Sequence, residues 1–124
     1  MEQLVAHLFG DYVLQPCGQW LAVKKTEKFY VALLHAFFYT LPFLLLTQSW
    51  KALLVVWLTH AVIDRWRLAF KWAKFVGVGY DDHWLLKRFG GSVAKPPMWL
   101  SVWLWIIVDN SWHLAINYCA LRWL

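Results

Sequence analysis

The sequence predicts an all-α fold: a polytopic membrane helix bundle with about four transmembrane helices, forming a single transmembrane domain over residues 1–124. Three observations predict it. Hydrophobic residues make up 61% of the 124 positions and charged residues only 15%, which leaves too little polar surface to cover a water-soluble globule. Mean hydropathy is +0.46. The eleven tryptophans suit a chain whose indoles sit at headgroup level, ring in hydrocarbon and N–H in water.

Four apolar segments approach the roughly 20 residues a spanning helix needs. The first, Leu4–Val23, is the most polar, with His7, Asp11, Gln15, Pro16 and Gly18. It is read as a span; a broken, re-entrant helix is the alternative. The second, Phe29–Thr47, carries Pro42 as its expected kink. The third, Ala52–Phe70, is apolar up to His60 and Asp64. The fourth, Met98–Leu121, follows Pro96 and Pro97, which suit a first helical turn. Met1–Gln3 lacks the basic start of a secretory leader.

The basic residues support four crossings. Lys24, Lys25 and Lys28 lie between segments one and two. Arg65, Arg67, Lys71, Lys74, Lys87, Arg88 and Lys95 lie between three and four, and only Lys51 between two and three. Four spans put both basic loops on one side, which the positive-inside rule makes the cytoplasm of a bacterial inner membrane. The net charge of +5 is thus topological, and no nucleic-acid module is visible. In the loop Lys71–Pro97, Asp81 and Asp82 would cap a short interfacial helix carrying Trp84, Leu85, Leu86 and Phe89 beside Lys87 and Arg88. His83 reads as surface decoration there. Cys17 and Cys119 fall near opposite ends of the first and last segments, so they read as small packing residues, not a disulfide.

One pattern recurs on three segments. His7 pairs with Asp11, His60 with Asp64, and Asp109 with His113, each at i, i+4 and so on one helix face. His35 stands in segment two with Tyr39 four residues on. The reversed order in segment four cancels its reversed direction. Each His therefore lies about 6 Å to the exterior of its Asp. The expected arrangement is a layer of His7, His60 and His113 over a layer of Asp11, Asp64, Asp109 and His35. Ionisable groups at bilayer depth are costly and mark function. Imidazole with carboxylate suits zinc, manganese or iron, and carboxylates also suit magnesium.

Interhelical hydrogen bonding is the bland reading of the same residues, and a proton or ion relay a third. On the metal reading, His7, Asp11, His35, His60, Asp64, Asp109 and His113 are candidate ligands to a divalent ion. Asp11, His60, Asp64 and Asp109 would be the catalytic subset. Arg65 and Arg67 would grip a phosphate-bearing substrate, and Gln15 and Asn110, with Asn117, would orient the other groups.

The stretches His7–Gln15, Thr59–Arg67 and Trp99–Asn117, the last including Val108-Asp109-Asn110-Ser111-Trp112-His113, resemble a family of small polytopic membrane proteins of bacteria and their phages, known only as a domain of unknown function. A looser likeness, in H-x-x-x-D elements on apolar helices, is to inner-membrane metal-dependent hydrolases. The layered cluster and its adjacent basic edge lead to the expectation of a membrane-embedded metal-dependent hydrolase acting on a lipid-like or lipid-linked substrate, a reading the looser likeness favours while the family itself brings no established activity. The alternative is a non-enzymatic, phage-encoded protein acting in superinfection exclusion, lysis control or inhibition of a host membrane protein. The expected partners are the lipid bilayer, further copies of the chain and such a host protein, with no nucleic acid.

Overall fold

A computed structural model describes residues 1–15, 20, 23–78, 88 and 97–124. Among these the chain is all-α, with no strand. The helices are α1 (Glu2–Leu8), α2 (Phe29–Thr40), α3 (Trp50–Trp66), α4 (Leu68–Val76) and α5 (Met98–Trp123). A π turn, Phe9–Val13, continues α1, and a 3₁₀ turn, Leu41–Leu45, continues α2. Two compact units form: Met1–Arg67 with His113–Leu124, and Leu68–Trp112.

No described helix is long and apolar enough to cross a membrane. The differences from the expected spans have local causes. The first segment is not one continuous helix: its first helical run ends at Val13, where Leu14 N–H bonds back to Phe9 at 3.0 Å in an i→i+5 pattern, and Leu14 and Gln15 are not helical. The second tightens to 3₁₀ around Pro42, which cannot donate an N–H. The third is cut at Arg67, whose left-handed backbone (φ 51°, ψ 46°) caps α3. Helix then resumes to Val76, six residues past the expected end. The fourth is one unbroken helix of 26 residues, but Asp109, Asn110, His113 and Asn117 break its apolar run. The interfacial helix expected around Trp84 lies outside the described residues.

In the first unit α2 and α3 pair through small residues. Ala32 and Ala36 of α2 and Ala61 of α3 are fully buried together, beside Leu33 and Trp57. The Trp57 indole donates to the Leu33 carbonyl at 2.9 Å. A second apolar cluster joins Ala6, Tyr39, Phe43, Val56 and Ala120. Ser49 caps α3, accepting from Ala52 N–H and donating to the Leu124 carbonyl at 2.8 Å. Gln3 ties α1 to the Leu114 carbonyl at 2.6 Å. Cys119 is exposed and so is not a packing residue: the buried face of α5 here is His113, Asn117 and Ala120. Cys17 lies outside the described residues.

The second unit holds α4 and the first part of α5. Ala69 and Ala73 form the buried stripe of α4. Phe70 meets Trp105 edge-on at 5.0 Å, and the Trp105 indole donates to the Val78 carbonyl at 3.2 Å. Lys71, Trp72, Lys74 and Phe75 are exposed.

One glycine sits where only glycine fits. A Cβ on Gly10 would lie 2.5 Å from the Tyr39 carbonyl oxygen and 3.1 Å from its Cα. These are backbone atoms that cannot swing aside, so the π turn approaches α2 only through a bare Cα. Gly10→Ala is expected to destabilise the fold by about 1–3 kcal/mol, read as a lowered midpoint of thermal unfolding in detergent. An unchanged midpoint would show that this approach is dispensable.

Candidate metal centre

The buried interior of the first unit is polar to an unusual degree. Its largest fully buried side chains include His7, His35, His60, His113, Tyr39 and Asn117. Asp11 and Asp64 are also buried, at 8% and 7% exposure. Each arrives by a local rule. On α2, Val31, Ala32, His35, Ala36 and Tyr39 fall on one helical face. On α3, Ala52, Val56, His60 and Asp64 repeat every four residues. The π turn carries Asp11, and the last turns of α5 carry His113 and Asn117.

Two tiers result. In the first, four donor atoms converge. His35 Nε2 lies 3.2 Å from Asp11 Oδ1, 3.2 Å from Asp64 Oδ2 and 3.1 Å from His60 Nε2. His60 Nε2 lies 3.3 Å from Asp64 Oδ2 and 3.8 Å from Asp11 Oδ1. His113 Nε2 faces the other Asp64 oxygen at 3.6 Å. The Lys25 ammonium joins them, 2.6 Å from Asp64 Oδ2 and 3.2 Å from His35 Nε2. Asp11, His35 and His60 form one group able to hold a metal ion, and His60, Asp64 and His113 another.

The second tier is a hydrogen-bonded chain. Asn117 Nδ2 donates to the Tyr39 hydroxyl at 2.5 Å, and that hydroxyl stands 2.8 Å from His7 Nδ1. A hydroxyl that accepts from Asn117 keeps its own proton for His7 Nδ1. The Tyr39 ring stacks on His60 at a 3.6 Å centroid distance and 17°. It therefore links the tiers and fixes the His60 imidazole.

Of the residues singled out in the sequence, the first unit brings together His7, Asp11, His35, His60, Asp64 and His113. Asp109 and Asn110 belong to the second unit, where both are half-buried. Gln15 is half-buried and Arg67 exposed. The Arg65 guanidinium donates to the Thr26 carbonyl at 2.7 Å. Sequence reasoning missed Lys25, whose loop position made it one of several topological lysines. It also missed the Tyr39 hydroxyl as a hub, although Tyr39 falls one turn after His35, the signal that it shares the same face.

The second tier makes a testable statement about stability. Tyr39→Phe keeps the ring and removes the hydroxyl, stranding two buried polar groups. The expected loss is about 1–3 kcal/mol. In a double-mutant cycle with Asn117→Ala the two costs should be strongly non-additive. Additive costs would mean that the two residues act independently.

No curated protein and no solved structure is significantly similar to the chain. Residues 1–90 match the family described as "Protein of unknown function (DUF3307)", and they include His7, Asp11, His35, His60 and Asp64 but not His113 or Asn117. The chain belongs to that family.

Proposed function

We propose that the protein is a membrane-embedded, metal-dependent hydrolase acting on a lipid-like or lipid-linked substrate. The observation that carries the metal reading is the crowding at His35 Nε2. Four polar atoms, from Asp11, Asp64, His60 and Lys25, surround it at 3.1–3.2 Å. A ring nitrogen offers one proton or one lone pair, so hydrogen bonding satisfies only one of these neighbours. A central cation would satisfy the ligand atoms together.

The separations around the two imidazoles suit a small divalent ion. Zinc bonded at about 2.0–2.1 Å to four tetrahedral ligands separates them by about 3.4 Å. His35 Nε2, His60 Nε2 and Asp64 Oδ2 lie 3.1–3.3 Å from one another, and Asp11 Oδ1 lies 3.2 and 3.8 Å from the two imidazole nitrogens. Two imidazoles favour zinc, manganese or iron over magnesium. A divalent ion held there would supply Lewis acidity and a more acidic water, with a pKa of about 7. The chain's own groups do the rest. Asp11 and Asp64 supply the compensating charge. Tyr39 holds the His60 ring by stacking. His113, facing Asp64 Oδ1, orients that carboxylate and is placed to take up a proton.

The membrane reading rests on the inverted distribution of side chains. Histidine and aspartate are inside, while Leu45, Trp123 and Trp50 are 89%, 69% and 68% exposed among many large apolar groups. Lipid is the solvent in which that exterior costs nothing. The helical run Phe29–Leu45 and helix α3, at 17 residues each, stand at the lower edge of the roughly 17–25 that span a bilayer. Exposed Trp72 and Phe75 beside Lys71 and Lys74 give α4 the character of an interfacial helix. A lipid-like substrate is supported by an apolar groove of about 420 Å³ between α2 and α3, lined by Phe37, Leu41, Leu44, Trp50, Leu54 and Trp57.

Protein purified in detergent is expected to carry stoichiometric metal by plasma mass spectrometry. His60→Ala and Asp64→Asn should lower metal affinity by at least about 10–100-fold while the chain stays inserted and helical by circular dichroism. No metal in the wild type, after dialysis against zinc or manganese, would sink the reading. Loss of expression and thermal stability in both variants at unchanged metal content would instead assign the cluster to holding the bundle together.

A further inference from the structure

Lys25 touches the two ligand atoms at the heart of the cluster, Asp64 Oδ2 and His35 Nε2, at 2.6 and 3.2 Å. Its side chain is only 17% exposed, so this is not a solvated surface lysine. The turn that delivers it is built for the purpose. Thr26 Oγ1 donates to the Val23 carbonyl at 2.8 Å, and Lys28 N–H bonds to the Lys24 carbonyl at 2.9 Å. Lys24 pairs with Glu27 at 2.6 Å on the outside of the turn, and its hydrogen bond holds the Glu27 carboxyl below the ordinary value. Arg65, the residue after Asp64, then clamps the turn by donating to the Thr26 carbonyl at 2.7 Å. Asp64 and the clamp that brings Lys25 to it are thus neighbours on one helix.

An ammonium and a metal ion cannot share this position. A divalent ion about 2.0–2.2 Å from Asp64 Oδ2 and His35 Nε2 would need the His35 lone pair toward which Lys25 is directed. It would also lie within a few ångströms of a like charge, where repulsion in a site shielded from water is strong. We propose that Lys25 is a tethered competitor for the cation site. Its ammonium sits on the Asp64 carboxylate when no metal is bound and withdraws when a metal enters.

This inference rests on the metal reading above and adds what regulates the site. Lys25 keeps a buried carboxylate neutralised in the metal-free protein. It also makes every entering ion displace a resident positive charge. Divalent ions that bond to imidazole meet that demand; sodium and potassium do not. Arg65 is a positioning residue for Lys25, acting through the Thr26 carbonyl.

The test uses the full chain in detergent, with zinc as the probe in competition against a chromogenic chelator. Lys25→Met is expected to tighten zinc binding by about 10–100-fold. Arg65→Gln keeps the amine but unclamps the turn, and is expected to move affinity the same way by a smaller factor. In the wild type, saturating zinc should raise the acetylation rate of Lys25, followed by peptide mass spectrometry, because the ammonium is released. Equal zinc affinity in wild type, Lys25→Met and Arg65→Gln would overturn the proposal and leave the metal site standing. An acetylation rate that zinc does not raise overturns it too. Zinc binding absent from wild type and Lys25→Met alike overturns the metal reading and this proposal together. Should Lys25→Met fail to fold, Arg65→Gln and the wild-type acetylation rates decide.

Discussion

The carboxylate of Asp64 is the constraint on which the first unit depends. It is buried at 7% exposure, where an uncompensated negative charge would be prohibitively costly. It also stands near the C-terminus of α3, whose macrodipole disfavours negative charge. Compensation therefore comes from every side. Lys25 approaches from the turn before α2, His35 from α2, His60 from one turn back on α3, and His113 from α5. One charge thus recruits four segments.

The packing allows this convergence because the helices meet on alanine. With Ala32, Ala36 and Ala61 fully buried, α2 and α3 approach closely enough for the His35 and His60 rings to lie 5.0 Å apart. Bulkier side chains at those positions would part the rings. Polar groups that would face water in a soluble protein are gathered inside, and the apolar volume is displaced outward. Tyr39 sits where the two tiers meet. Its ring covers His60 and its hydroxyl serves Asn117 and His7.

The helical class and most of the cluster were legible in the sequence because both follow from local periodicity. Pairs at i, i+4 share a face, and His35 with Tyr39 marks a second face, so periodicity named the residues that would look inward. What it could not convey is rotation about each helix and the long-range return of a turn. Lys25 and Asp64 are 39 positions apart, and nothing local separates Lys25 from Lys24 or Lys28. The charge of Arg65 is visible in the sequence, whereas the Thr26 carbonyl it meets is a backbone atom 39 positions away. The helix breaks were hidden for a similar reason. Arg67 adopts a left-handed conformation that its residue type does not advertise, and the Phe9–Val13 π turn leaves no compositional mark beyond Gly10.

That π turn acts as a phase shifter. In a regular α-helix His7 and Asp11 would point nearly the same way, since each residue advances by about 100°. A π turn winds more slowly and admits one residue more per turn. Here His7 meets the Tyr39 hydroxyl while Asp11 meets His35 and His60. The segment is therefore sensitive to length in a way the neighbouring helices are not. Removing Phe9 or Gly10, the two residues of the turn that precede Asp11, would rotate Asp11 by about 100° relative to His7. A substitution outside Gly10 would leave the register intact.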